Sequence, residues 1–217
     1  MIIKLKNLTK KYGDVIALNN INIDFLSGEL VCLLGPSGSG KTTLLFAVAG
    51  LIELDQGQIF FNDVDISLLP ASKRKVGIVF QDFGLFPYQS VYDTICFPLK
   101  MQQLNKVTRD QRVQEIASLL HIENLLKRKT KALSAGQKQR VAIARAIAME
   151  PDVLLFDESL NHLDQALRIE MRKEIKKLQK QLKITTIFVT HDYEEAKELA
   201  DRIVILNKGA IIENKLV

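Results

Sequence analysis

The segment Gly35-Pro36-Ser37-Gly38-Ser39-Gly40-Lys41-Thr42-Thr43 fits the phosphate-binding pattern G-x-x-x-x-G-K-[ST]. Glycines let successive backbone N–H groups turn inward around phosphate oxygens, and a following helix aims its positive end at the same anion. Lys41 supplies a point charge for the β- and γ-phosphates, and the Thr42 hydroxyl is placed to ligate Mg²⁺. The flanks suit this chemistry. Leu30–Leu34 is apolar and strand-like, and 44–49 suits a helix.

Three further groups carry chemistry. Val153-Leu154-Leu155-Phe156-Asp157-Glu158 is an apolar strand ending in two carboxylates, and a buried strand delivers side chains at its C-terminal tip, where ligands bind in open α/β sheets. There Asp157 would hold Mg²⁺ and Glu158 would act as general base toward a water. His191, one of three histidines, ends another apolar strand and falls on the same edge. Ser134-Ala135-Gly136-Gln137 opens a helix with capping-box spacing. An ordinary helix start accounts for that segment, and a helix N-terminus with free N–H groups is also an anion site. The residues alone leave both readings open.

The elements that must position these groups follow from periodicity. Alternation at 2–7 and Val15–Phe25, and the run 58–62 after the Gly57 turn, read as strands. The middle stretch changes character. Thr108-Arg109-Asp110-Gln111 is expected to cap a helix carrying Val113, Ile116, Ala117 and Leu120 on one face, and a second helix is expected over 135–149, closed by Pro151. Strand and helix then alternate: strand 153–156, helix 167–182, strand 184–190, helix 192–200, strand 202–206. This predicts an α/β fold, a P-loop core with a parallel sheet covered by helices, preceded by β-rich sequence and interrupted by a helical insert.

Bulk properties set bounds. A chain of 217 residues with 47% apolar content suits one large α/β domain. The net charge of +5 permits an anionic partner without demanding one. Cys32 and Cys96 lie in apolar surroundings with no CxxC, which reads as two buried thiols in a reducing compartment. No signal peptide opens the chain, and no apolar run approaches the roughly 18 residues needed to span a bilayer, so a cytosolic location is expected.

Together, in this order, these motifs resemble the nucleotide-binding subunit of an ATP-binding cassette (ABC) transporter. The resemblance covers essentially the whole chain, and its most specific element is Leu133-Ser134-Ala135-Gly136-Gln137, the family signature with Ala135 in place of the usual glycine. It implies a single ABC ATPase domain over 1–217, with a nucleotide-binding core and antiparallel β-subdomain in 1–85 and 150–217 and a helical signature subdomain in 86–149. It implies that Tyr12 stacks on adenine, that Gln81 reaches Mg²⁺ and the attacking water, and that His191 contacts the γ-phosphate. It also implies that the loop Asn161-His162-Leu163-Asp164 crosses to a partner subunit. That loop departs from the family at His162, usually alanine, and Ser159 replaces a usual proline.

The family's partners are then expected too: a head-to-tail homodimer holding ATP between the 35–43 loop of one copy and the Ser134–Gln137 helix start of the other, integral membrane permease subunits, and indirectly an external solute-binding protein. The chain would sit peripherally on the cytoplasmic face of the cell membrane. Phe83-Gly84-Leu85-Phe86-Pro87-Tyr88 is a candidate socket for a permease helix, or alternatively core of the insert. The motif context resembles importers of inorganic anions, polyamines or sugars. Because the chain ends soon after the strand at 202–206, with no regulatory β-domain, an inorganic anion is the expected solute. Three rivals are an ABC exporter, a soluble ABC ATPase acting on nucleic acid or the ribosome, and a GTPase. The GTPase lacks its guanine-reading motif here, since Asn207-Lys208-Gly209-Ala210 has no aspartate. No nucleic-acid partner is expected.

Overall fold

The computed structural model describes residues 1–217. In chain order the elements are β1 (Ile3–Tyr12), β2 (Val15–Phe25), β3 (Leu30–Leu34), α1 (Lys41–Ala49), β4 (Gln56–Phe61), β5 (Val64–Asp65) and β6 (Val76–Val79). Then come α2 (Val91–Met101), α3 (Lys106–Leu119), α4 (Ala135–Ile147), β7 (Val153–Asp157), α5 (Gln165–Leu182), β8 (Thr185–Thr190), α6 (Tyr193–Leu199), β9 (Arg202–Asn207) and β10 (Ala210–Leu216).

Two sheets result. The first is antiparallel, in the order β2-β1-β4-β5. The second has the order β10-β9-β3-β8-β7-β6, parallel from β9 to β6 with antiparallel β10 on its edge. Its central strands are apolar on both faces, as helix-covered parallel strands must be. Alternate residues feed two separate cores. Cys32, Leu154, Phe156, Phe188 and Ile203 face the helices of the middle segment and α5. Val31, Leu33, Val153, Leu155, Ile187 and Val189 face α1 and the antiparallel sheet. A one-residue slip in any strand would exchange those faces, so the register is firmly specified.

Several local expectations are corrected. The helix after the phosphate motif begins at Lys41, inside the motif. The cap of α3 is Asn105, not Thr108: Asn105 Oδ1 accepts from the Thr108 N–H at 2.9 Å, which makes Thr108 the third helical residue. α4 ends at Ile147, and Glu150 turns the chain with φ 50° before Pro151. α2 went unmarked in the sequence because Pro98 lies inside it and reads as a breaker. β10, an exposed edge strand without clean alternation, was also unmarked. Both cysteines are free and buried, as expected.

Candidate functional site

The parallel order β3-β8-β7-β6 brings four chain segments to one sheet edge. β3 runs into the 35–43 loop, β8 into His191, β7 into Asp157 and Glu158, and β6 toward Gln81. Registers Leu34↔Thr190, Asp157↔Val189 and Val79↔Phe156 align those tips.

The loop is a cradle of free donors. None of the N–H groups of Gly38, Gly40, Lys41, Thr42 or Thr43 has a partner within the chain, and α1 carries no side-chain cap. Four unpaired N–H groups are usual at a helix start, and here they open onto a glycine turn. Gly40 adopts φ 103°, and a Cβ there would stand 2.3 Å from the Ala17 carbonyl oxygen of β2. That contact explains why no larger residue fits. Gly35 is buried, Pro36, Ser37 and Gly38 are exposed, and the buried Ser39 hydroxyl has no partner.

Lys41 is 4% exposed. Its Nζ donates to the carbonyls of Gly35 at 2.8 Å and Pro36 at 2.9 Å, and stands 3.9 Å from Glu158 Oε1. Burial holds its ammonium below the usual lysine range, against the opposite pull of Glu158 and Asp157. Thr42 Oγ1 donates to Asp157 Oδ1 at 2.8 Å. Burial pushes the Asp157 carboxyl above the usual carboxylate range; the Thr42 bond opposes this and the neighbouring Glu158 charge adds to it.

No cluster of three or more His, Cys, Asp or Glu side chains exists to cage a metal. The Thr42–Asp157 pair nonetheless fits Mg²⁺, which takes hard oxygen donors, keeps several waters and is commonly held by one or two protein oxygens plus substrate phosphates.

Glu158 has a left-handed backbone, φ 45°, and its side chain accepts from Asn161 Nδ2 at 2.8 Å. His191 Nδ1 lies 3.7 Å from the same oxygen, and its ring is otherwise half exposed. Gln81 is exposed in the turn after β6. Arg145, on α4, anchors that turn by donating to the carbonyls of Gly84 and Phe83. Tyr12 ends β1, is half exposed, and lies on the hairpin whose Ala17 carbonyl abuts Gly40.

Ser134, Gly136 and Gln137 lie elsewhere. The capping box is present: Gln137 N–H donates to Ser134 Oγ and Ser134 N–H to Gln137 Oε1. These three residues line a cavity of about 280 Å³ with His121, Asn124 and Arg140, none of them from the phosphate loop. Gly136 packs against Leu167 in the first turn of α5. Asp164 caps that helix by accepting from the Leu167 N–H at 2.9 Å. Within one chain the structure therefore does not unite the Ser134–Gln137 segment with the 35–43 loop.

Sequence reasoning missed three supports: Asn161 on Glu158, Arg145 on the Gln81 turn, and Arg74. The Arg74 guanidinium donates to the Ala47 and Val48 carbonyls at the end of α1 and to those of Leu69 and Ser67. No local signal marked Arg74, which lies in the charged run Ser72-Lys73-Arg74-Lys75 ahead of β6.

A profile of the family described as ABC transporter matches residues 18–161. The chain belongs to the ABC transporter family. The cassette is 46% identical over 211 residues to the maltose/maltodextrin import ATP-binding protein MalK of Mannheimia succiniciproducens, across 97% of this chain and 57% of that one. It is 47% identical over 213 residues to the spermidine/putrescine import ATP-binding protein PotA of Haemophilus influenzae, across 98% and 57%. The cassette thus spans 57% of the length of these curated relatives. The dimeric structure of MJ0796, a bacterial ABC transporter cassette, matches with a TM-score of 0.86 at 32% identity, over 99% of this chain and 98% of that one. By sequence and fold this is an ABC transporter cassette, with a mixed α/β architecture.

Proposed function

We propose that this cassette binds ATP with Mg²⁺, closes as a head-to-tail homodimer, and hydrolyses ATP to drive solute import through membrane permease subunits. The observation that carries this reading is the split site. Free loop N–H groups, Lys41, Thr42, Asp157 and Glu158 share one sheet edge, while the Ser134–Gln137 helix start opens on a different cavity. Each nucleotide then needs two copies. A matched cassette has been solved as a dimer, and in a post-hydrolysis dimer bound to ADP and Pi.

In this scheme the residues 35–43 wrap the phosphates, with Lys41 leaving the Gly35 and Pro36 carbonyls to meet them. Tyr12 covers the adenine. Thr42 and Asp157 hold Mg²⁺, with Gln81 reaching it and the water; the bound ion neutralises phosphate charge. Glu158 takes the proton of the attacking water, and His191 contacts the γ-phosphate. The partner copy offers Ser134, Gly136 and Gln137, and Asp164 holds the crossing loop in shape. Contacts made only in the closed state give ATP its differential affinity for closure, and hydrolysis removes them.

A cavity of about 560 Å³ lies between the 71–78 segment and the α2–α4 face, floored by Phe80, Phe97 and Met149 and bordered by Gly84 and Phe86. It suits a permease helix. Of the expected socket run, Phe83 and Leu85 pack on the helical core, whereas Phe86 and Tyr88 are exposed. The 86–149 segment would swing with the permease about the Gln81 turn. No helix is long and apolar enough to cross a membrane. In this scheme the cassette sits on the cytoplasmic membrane face against the permease. The named relatives serve a sugar and polyamines. They favour an organic solute, delivered by an external binding protein, over the inorganic anion expected from chain length.

The test is Glu158→Gln, which should bind MgATP, lose nearly all turnover and accumulate a nucleotide-bound dimer on sizing. Adding Ser134→Arg should leave ATP binding intact and abolish that dimer. An undiminished dimer in the double variant would refute the two-copy site.

A further inference from the structure

We propose that Asn161 is a positioning residue for Glu158, assigning which carboxylate oxygen meets the attacking water. The inference rests on the reading of Glu158 as proton acceptor. A carboxylate carries only acceptors, so the Asn161 amide must present its NH₂ to it. It does so at Oε2, with Nδ2 at 2.8 Å. His191 Nδ1 stands 3.7 Å from the same Oε2. The other oxygen, Oε1, is left facing the phosphate-binding lysine, 3.9 Å from Lys41 Nζ. Two groups therefore engage Oε2, and Oε1 is the oxygen beside the phosphate-binding lysine.

The donor is held as firmly as its acceptor. The Asn161 backbone N–H bonds the Glu158 carbonyl at 3.3 Å, closing one turn between them. The Glu158 backbone is itself tied through its N–H to the Val189 carbonyl at 3.1 Å. The terminal torsion of a glutamate is broad and roughly two-fold, so nothing intrinsic to the side chain chooses between its oxygens. Asn161 supplies that choice. In the reaction, a water O–H proton passes to Oε1 as the water oxygen bonds the γ-phosphorus and the bond to the ADP oxygen breaks. The amide protons of Asn161 stay where they are. Without the amide, the carboxylate is free to swing toward Lys41 and out of line, and misplacement of about 1 Å costs up to about 100-fold in rate.

Asn161→Asp keeps the side-chain shape, removes the donor and sets a second negative charge beside Oε2. Asn161→Ala removes the group. The purified full chain is assayed in single turnover with MgATP, and each variant is measured below its own melting transition. The rate constant should fall about tenfold for Asn161→Ala and further for Asn161→Asp, with half-saturating ATP unchanged within about twofold. A purely structural turn would lower the melting transition of each variant without slowing the rate constant measured below it. Glu158→Gln is run alongside, and Asn161→Asp added to it should cause no further loss. Parent-like rates for both Asn161 variants beside an inactive Glu158→Gln overturn the positioning role and leave the base intact. A change confined to half-saturating ATP also overturns it. Parent-like turnover by Glu158→Gln removes the base reading itself.

Discussion

Substituting alanine at two glycines of the phosphate loop separates conformational strain from lost space. Gly38 has φ 77°, with nothing within 4 Å of where a Cβ would stand. Gly40 has φ 103°, with the Ala17 carbonyl oxygen 2.3 Å from that point and Leu18 at 3.4 Å. Placing an L-residue in left-handed backbone costs about 1–2 kcal/mol, partly offset by the stiffer unfolded chain. Gly38→Ala should therefore lose about 1 kcal/mol of stability, roughly 2–4 °C in Tm for a chain of this size. That strain is the same with and without nucleotide, so ATP affinity should stay within about threefold.

Gly40→Ala adds an overlap. A carbon–oxygen contact settles near 3.3–3.6 Å, so the loop or β2 must move by about 1 Å. The N–H groups of Lys41 and Thr42 move with it, and each hydrogen bond to a charged group is worth about 1.5–3 kcal/mol. Losing alignment at one or two of them should weaken MgATP binding by about 100-fold or more. Titration calorimetry with ATP and Mg²⁺, on chains whose melting is recorded in parallel, measures both quantities. Equal affinity losses for the two variants would show that packing against Ala17 does not shape the cradle.

Arg74 predicts a stability effect: it is buried, has no acidic partner, and serves four backbone carbonyls. Arg74→Ala should cost about 3 kcal/mol and about 6–12 °C in Tm by calorimetry, and Arg74→Lys, with a single nitrogen, about half. Glu195, on α6, predicts a pH effect. It is 2% exposed with Oε1 unpartnered, and burial raises its carboxyl above the ordinary 4.5, against the Thr190 bond and the Arg172 and Arg168 charges and with help from Asp192. Cys32 on β3 faces it, and burial foremost pushes that thiol up too. A raised carboxyl leaves the native state binding more protons than the unfolded one. The burial cost is thus absent below about pH 4.5 and grows as pH rises through the folded value. Glu195→Gln should therefore stabilise by about 1 kcal/mol at pH 7.5 and by nothing at pH 4; a pH-independent change in denaturation midpoint would contradict the assignment.

What was legible in the chain was whatever local pattern encodes. The phosphate motif, the carboxylates closing 153–157, the Ser134–Gln137 capping box and the return of strand–helix alternation depend on spacing within a few residues, and spacing is what a sequence displays. Element ends blurred where local signals competed, as Asn105 against Thr108 for one cap and Pro98 inside α2.

Tertiary structure decided the rest, because it depends on which strand lies beside which. Thr42 and Asp157 bond across 115 positions only because β8 stands between β3 and β7, with α1 laid along the same face. The clamp of Arg74 on α1 and the separation of Ser134 from the loop it is proposed to complete in a second copy likewise have no sequence spacing to announce them. Each is set by which elements pack side by side, and local spacing does not record that.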